Sequence, residues 1–156
     1  MEALFCSSPI GMLKISSRNG RVVSLGVVSV PVKGAASVST MLKKAKKEIE
    51  AYFAGKRKKF SVPLEVCGTE FQKKVWKALL KIPYGKTKTY QQIAAAVRRP
   101  RAVRAAANAI GANPLCILVP CHRVIGSDGS LKGYAYGADR KRALLRLEKV
   151  LLPGVL

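Results

Sequence analysis

Pro100 separates two short stretches that both favour helix, TYQQIAAAV at 89–97 and RAVRAAANAIG at 101–111, and prevents them from joining. A proline inside a helix removes a backbone hydrogen bond and its ring collides with the preceding turn, at a cost of about 3 kcal/mol or more. The chain must turn at RRP, so the two helices form a helix-turn-helix, whose second helix is the one such modules press against DNA. Thr89 opens the first helix with Gln92 three residues on, a capping box. In the second, Ala102, Ala105, Ala106, Ala107 and Ala109 leave almost no side chain on several faces, while Arg101, Arg104 and Asn108 supply polar reach. Alanine is also the best helix former, and small residues permit close packing. DNA contact is preferred because the rest of the chain is so basic.

Charge carries that preference. The chain holds 29 Lys+Arg against 8 Asp+Glu, a formal net charge of +21 spread along its length. Such a surface attracts a polyanion, and phosphate neutralisation with counterion release gives sequence-independent affinity that salt weakens. The runs KKAKKEIE and GKRKK are read as solvated faces. No apolar run approaches the roughly 20 residues of a membrane-spanning helix, and the start MEALFCSSPIG lacks a basic region followed by an apolar stretch. The expectation is an intracellular protein, cytoplasmic or, in a eukaryote, nuclear.

The remaining elements define an α+β chain. The first thirty residues alternate apolar and polar positions with Gly11, Gly20 and Gly26 as punctuation, which suits a small antiparallel meander. An amphipathic helix is expected over 37–54, with Leu42, Ala45, Ile49 and Tyr52/Phe53 on its apolar face, closed by Gly55. GKRKKFSVPLEVCG reads as a linker, and a domain boundary is placed at 62/63. A helix over 69–82 opens on the capping box Thr69 to Gln72. The apolar run LCILV at 115–119 reads as a buried strand that delivers Pro120, Cys121, His122 and Arg123, after which Val124 and Ile125 lead into a glycine-rich hairpin or loop. A last helix over 138–152 places Leu144, Leu147/Glu148 and Leu151 on one face.

Cys121 and His122 are the chemistry-bearing pair. A thiol is a strong nucleophile as thiolate, and a neighbouring histidine, a helix N-terminus and positive charge all lower its pKa. Successive residues of an extended chain point to opposite faces, so the pair requires a tight turn after Pro120 or a bridging water. Glu148, a carboxylate on an apolar helix face, needs a polar partner. The only histidine is one candidate and an arginine at the helix edge is the other. The four cysteines form no CxxC pair, so zinc is not expected. Cys6 and Cys67 sit in apolar contexts that suit inert core residues, with a disulfide between them left open.

The stretch NPLCILVPCHRVIGSDGSLKGYAYGADRKRALLRLE resembles the active-site segment of the O6-alkylguanine-DNA alkyltransferases, the methylated-DNA–protein-cysteine methyltransferase family. FQKKVWKALLKIPYGKTKTYQQIAAAVRRPRAVRAAANAIGANP is similar to that family's helix-turn-helix region, and SSPIGMLKIS to its N-terminal strand. The resemblance implies an N-terminal sheet with a helix, then a mostly helical domain with the helix-turn-helix and the PCHRV segment. It implies direct damage reversal: one irreversible transfer per molecule of the alkyl group from O6-alkylguanine in double-stranded DNA to Cys121, with O4-alkylthymine left open as a second substrate.

By the same resemblance His122 is the base acting through water, Glu148 orients His122, and Asn113 holds the helix-turn-helix against the active-site loop. Tyr90 lies near the flipped base and donates toward its ring, and Arg104 fills the stack that the nucleotide vacates. Arg123 is structural or phosphate-facing. Tyr134 and Ala135 fall in the loop that closes over the base, and Arg101, Ala105 and Asn108 join Arg104 on the DNA face. The family's loop often carries serine where this chain has Ala135 and glycine where it has Tyr136. Relatives that hold zinc use N-terminal cysteines and histidines that this chain lacks, so neither metal nor cofactor is expected, and the protein is read as a monomer. Three other readings are kept: an alkyltransferase-like damage sensor, which replaces the acceptor cysteine; a helix-turn-helix transcription factor, which needs a long polar recognition helix; and a cysteine hydrolase, which turns over repeatedly.

Overall fold

Asn19-Gly20 is a dipeptide that tolerates positive φ at both positions, and a two-residue hairpin whose twist matches its strands needs that. Both take it, with φ of 51° and 74°, and Arg18 pairs with Arg21 across the turn. The hairpin belongs to a three-stranded antiparallel meander, β1 (Glu2–Ser8), β2 (Gly11–Arg18) and β3 (Arg21–Val28). The computed structural model describes residues 1–29 and 38–152.

The register places Cys6 opposite Leu13 and Ile15 opposite Leu25, all buried. Helix α1 (Thr40–Phe53) packs on this sheet with Leu42, Ala45, Ile49 and Tyr52 buried. Its N-cap is Ser39, whose hydroxyl accepts from the Leu42 amide. Ser37, where the helix was expected to start, lies outside the described residues. The expected face also holds Glu48, a buried carboxylate that accepts from the Ser61 amide and hydroxyl and pairs with Arg57 at 3.0 Å.

Two short chain pieces join β3. Val22 donates to the Pro63 carbonyl and Glu65 to Val22; Leu25 donates to Pro114 and Cys116 to Leu25, each near 3 Å. This pairing carries the first compact unit past 62/63 to Cys67 and adds Pro114–Leu118 to it; the second unit comprises Gly68–Asn113 and the chain from Val119 onward. The expected strand at 115–119 is one bridge long, at Leu115. Leu118 then donates to the Cys116 carbonyl at 2.7 Å across Ile117, whose φ is 69°. That is a strained γ-turn around a β-branched residue. The run is apolar because it is buried, which holds equally for a strand and a turn.

The second unit is mostly helical: α2 (Glu70–Leu79), α3 (Tyr90–Ala96), α4 (Val103–Gly111) and α5 (Ala138–Leu147). Both capping boxes form, Thr69 with Gln72 and Thr89 with Gln92. Helix α4 begins at Val103, so Arg101 sits in the preceding turn, where Ala102 donates to Arg99. Trp76 Nε1 donates 2.8 Å to the Ala109 carbonyl, tying α2 to α4. Helix α5 ends sooner than expected, in a Schellman motif: Val150 donates to Leu145, Lys149 to Arg146, and Lys149 takes φ of 58°. Val150 packs with Leu145, Ile125, Leu131 and Leu152. Glu148 is therefore the C-cap and not an interior helix position. Val124–Ile125, expected to lead into a hairpin or loop, forms β5, pairs in parallel with β4 (Lys88–Thr89) and leads into a loop.

Candidate active site

Pro120 has φ of −80° and ψ of 64°, and Cys121 donates across it to the Val119 carbonyl at 2.8 Å, an inverse γ-turn. A single 3-10 turn, Cys121–Arg123, follows. This is the tight turn the Cys-His pair requires. Asn113 Nδ2 donates 2.8 Å to the same Val119 carbonyl, and the Asn113 side chain also hydrogen-bonds the Cys121 thiol. One asparagine thus fixes both the turn and the nucleophile that it presents.

His122 is fully buried, and its Nε2 lies 2.6 Å from Glu148 Oε2. Glu148, 2% exposed, has the expected histidine and also an arginine, though Arg123 of the same turn and not one at the edge of its own helix. Arg123 Nε donates to its Oε1 at 2.8 Å and Nη2 to its Oε2 at 3.1 Å, while Nη1 caps the Ile82 carbonyl at 2.8 Å. The Gly85 amide adds a 3.2 Å bond to Oε1. A bidentate Arg–carboxylate pair is well suited to burial, because the two charges cancel with every fork position bonded. Arg123 is 6% exposed, with Nε, Nη1 and Nη2 all bonded inside the protein.

Burial is the largest influence on the His122 pKa and lowers it; Glu148 opposes that shift, and the cations Arg123 and Lys141 reinforce it. A neutral imidazole beside a carboxylate carries its proton on Nε2, which leaves Nδ1 with a free lone pair. Nδ1 is buried with no hydrogen-bond partner among the described residues. The thiol departs from expectation. Burial pushes the Cys121 pKa up, and the Asn113 bond, Lys141 and backbone amides only partly offset this. With burial holding its pKa above the ordinary thiol value, Cys121 needs a base before it can attack.

Lys141 is a site residue that sequence reasoning missed. It is completely buried on α5, its Nζ lies 3.5 Å from the Tyr90 hydroxyl and 5.6 Å above the Tyr90 ring, and burial lowers its pKa to about 8 while the Cys121 charge opposes the shift. The signal was its spacing, because Lys141, Leu144, Leu145 and Glu148 fall at i, i+3, i+4 and i+7 on one face. Tyr90 donates from its hydroxyl to the Lys132 carbonyl at 2.8 Å. Gly133, at φ of 89°, leaves that hydroxyl room: a Cβ there would lie 2.7 Å from it.

Tyr90 and Arg104 line an open cleft of about 590 Å³ with Gln91, Val103, Ala107 and the loop residues Gly126, Ser127, Asp128 and Ser130. On α4 the alanines divide. Ala106 and Ala109 are buried, whereas Ala105 is exposed beside Arg104 and Asn108, and Arg101 is exposed in the turn. Close packing and a thin outer face are therefore both realised. Tyr134 is buried edge-on against Tyr136, 5.7 Å between centroids, and Ala135 is exposed. All four cysteines are free, and Cys67 is exposed 3.7 Å from Arg18 Nη2, neither a core residue nor half of a disulfide. Among the described residues no group of three His, Cys, Asp or Glu side chains could hold a metal, and no helix is long and apolar enough to cross a membrane.

Comparison with known proteins covers both units. Residues 70–150 match the DNA binding domain of 6-O-methylguanine DNA methyltransferase, and residues 3–66 match its ribonuclease-like domain. A methylated-DNA–protein-cysteine methyltransferase of Methanosarcina barkeri is 54% identical over 107 residues, 69% of this chain and 68% of that protein. The inducible Bacillus subtilis enzyme of that name is 59% identical over 102 residues, 65% of this chain and 57% of its own. The crystal structure of Mycobacterium tuberculosis OGT in complex with DNA superposes with a TM-score of 0.85 at 41% identity, over 96% of this chain and 93% of that one.

Proposed function

Since the chain belongs to the 6-O-methylguanine DNA methyltransferase family, we propose that Cys121 is the residue onto which it draws the alkyl group of O6-alkylguanine in double-stranded DNA. The protein binds DNA and repairs alkylated DNA by methyl transfer to cysteine. The 2.6 Å contact between His122 and Glu148, in a fully buried site one residue from a free thiol, carries the assignment to Cys121.

The O6 substituent of a paired guanine lies inside the duplex, so its nucleotide must flip out, at a cost of a few kcal/mol that alkylation-weakened pairing reduces. Arg104, exposed at the rim of the cleft, fills the vacated stack, and Arg101, Ala105 and Asn108 border the backbone. The outer face of α4 carries little bulk, which fits a minor groove only about 6 Å wide that offers little base discrimination. A repair protein needs that indifference to sequence. Tyr134 and Ala135 then close over the base.

The thiol proton moves through one water to His122 Nδ1, and Glu148 stabilises the imidazolium. Asn113 and Lys141 hold the thiolate, which displaces guanine from the alkyl carbon in line. The sulfur–carbon bond forms as the carbon–O6 bond breaks, and the departing guanine takes a proton from Tyr90. Lys141 lies beside both Cys121 and the Tyr90 hydroxyl, so one fixed cation serves the charge where it starts and where it arrives, with no reorganisation during the reaction. The thioether is stable and the site holds no second nucleophile poised to release it, so each monomer reacts once. The protein works where the DNA is, in the cytoplasm or a eukaryotic nucleus.

The test is intact mass and peptide mapping after incubation with an O6-methylguanine duplex. One methyl on Cys121 per molecule, absent in Cys121→Ala, is expected. Binding without transfer would make the protein a damage sensor, and sustained turnover would make it a hydrolase.

A further inference from the structure

The exposed side of α2 repeats lysine at helical spacing. Lys74 and Lys77 lie on α2 and Lys81 in the turn just beyond its C-cap Leu80, and with Arg98 they line a cleft of about 390 Å³ whose floor is Ala78, Ala96 and Val97. Lys74 and Lys77, like charges three residues apart on one helix face, repel, and among the described residues no acidic side chain lines this cleft. The nearest carboxylate along α2, Glu70, pairs with Lys73 instead. None of the residues assigned to repair takes part, and the cleft shares no lining residue with the one that holds Tyr90 and Arg104.

Arg98 adds an independent observation. It occupies the position just past α3, at φ of 62°, where Arg99 donates to Ala94 and Arg98 itself to Ala95. This is the Schellman position that glycine fills without strain, as Gly55 does after α1. Arginine is strained there, yet it sets a guanidinium on the rim of the cleft.

We infer that this cleft is a second phosphodiester-backbone site, separate from the face of α4, which holds undamaged duplex without regard to sequence. Four cations, two on α2 and one in each of the turns that follow α2 and α3, converge on a floor of small side chains, so a phosphate can approach all of them closely. The acceptor cysteine is spent in one reaction, whereas a backbone site is not, and it keeps the protein on DNA between lesions. DNA is the occupant because it is the polyanion on which this protein already acts and because charge complementarity extends over a groove rather than one point.

The test compares two variants that each remove three positive charges: Lys74→Gln/Lys77→Gln/Lys81→Gln in the cleft, and Lys43→Gln/Lys44→Gln/Lys47→Gln on the exposed face of α1. Affinity for an undamaged duplex is measured by fluorescence anisotropy across a salt series. Each phosphate that is no longer neutralised should reduce the slope of log K against log salt by about 0.9, so the cleft variant should lose about 2 to 3 in slope and the α1 variant less than about 1. Both should still transfer one alkyl group per molecule from a saturating O6-methylguanine duplex. Equal losses would mean a general field effect, an unchanged slope would mean that no phosphate sits in the cleft, and either would overturn the inference. If thermal melting shows the triple variant unfolded, Arg98→Gln replaces it, with a loss of about 1 in slope expected and none overturning the site. Absence of transfer in the unaltered protein would instead refute the assignment of Cys121 and leave the slopes interpretable.

Discussion

Glu148 carries more of the site than any other side chain, because it accepts from His122, twice from Arg123 and from the Gly85 amide. Glu148→Gln keeps the shape but leaves the Arg123 cation buried without its counter-charge, which should cost about 3–5 kcal/mol of stability in urea unfolding. Alkyl transfer should slow as well, since the imidazolium loses its partner; unfolding unchanged from the parent would contradict the arrangement. Lys141 should act in the opposite sense. Its folded pKa of about 8 lies below the ordinary 10.5, so between those values the unfolded chain binds the proton more tightly. The burden of burying the ammonium is complete below pH 8 and fades as pH rises toward 10.5. Lys141→Met should therefore raise the melting temperature at pH 7, with the gain shrinking toward pH 10, while slowing transfer. A melting temperature that drops at pH 7 would show that Lys141 is structural. Lys141 lies on α5 and Glu148 is its C-cap, seven residues on, and of the two only the carboxylate was legible from the sequence. A buried Glu is conspicuous beside a lone histidine, whereas a lysine in ADRKRALL looks like the solvated face of a basic protein. Arg123 was named from the sequence, but its pairing with Glu148 was not, for the same reason. Charge sign reveals a partner's class, but burial decides which cations meet it.

At the scale of elements, what was local was legible and what was long-range was not. The two capping boxes depend on residues three apart and formed as expected. The 115–119 run depended on β3, whose Leu25 gives it one bridge before the γ-turn at Ile117. The parallel pair of β4 with β5 joins segments far apart in the chain, and no local pattern marks it. The caps permit a paired prediction. Thr69→Ala and Thr89→Ala each remove a hydroxyl that accepts from the N3 amide and should each cost about 1 kcal/mol in thermal melting. Only Thr89→Ala loosens the turn that begins at Tyr90, so only it should also slow alkyl transfer. Equal transfer rates in the two variants would separate Tyr90 from the chemistry.

For the molecule as a whole, a net charge of +21 pulls stability and DNA affinity in opposite directions as salt changes. Compact packing brings like charges closer than the expanded chain does, so self-repulsion destabilises the folded state and salt relieves it. The buried Arg123–Glu148 pair is little screened because solvent ions do not enter, and the exposed ion pairs are few, Arg18–Glu65, Lys73–Glu70 and Arg142–Asp139 among the described residues. Screening should thus relieve far more repulsion than attraction. The melting temperature should rise from low salt to about 0.5 M, where the Debye length is shorter than about 8 Å, while affinity for undamaged duplex falls over the same range. A scan by circular dichroism in potassium chloride, beside anisotropy in the same buffers, reads both. Should the melting temperature fall with salt, surface ion pairs would be holding the fold together, and the excess of lysine and arginine would have to be explained by stability rather than by a polyanionic partner.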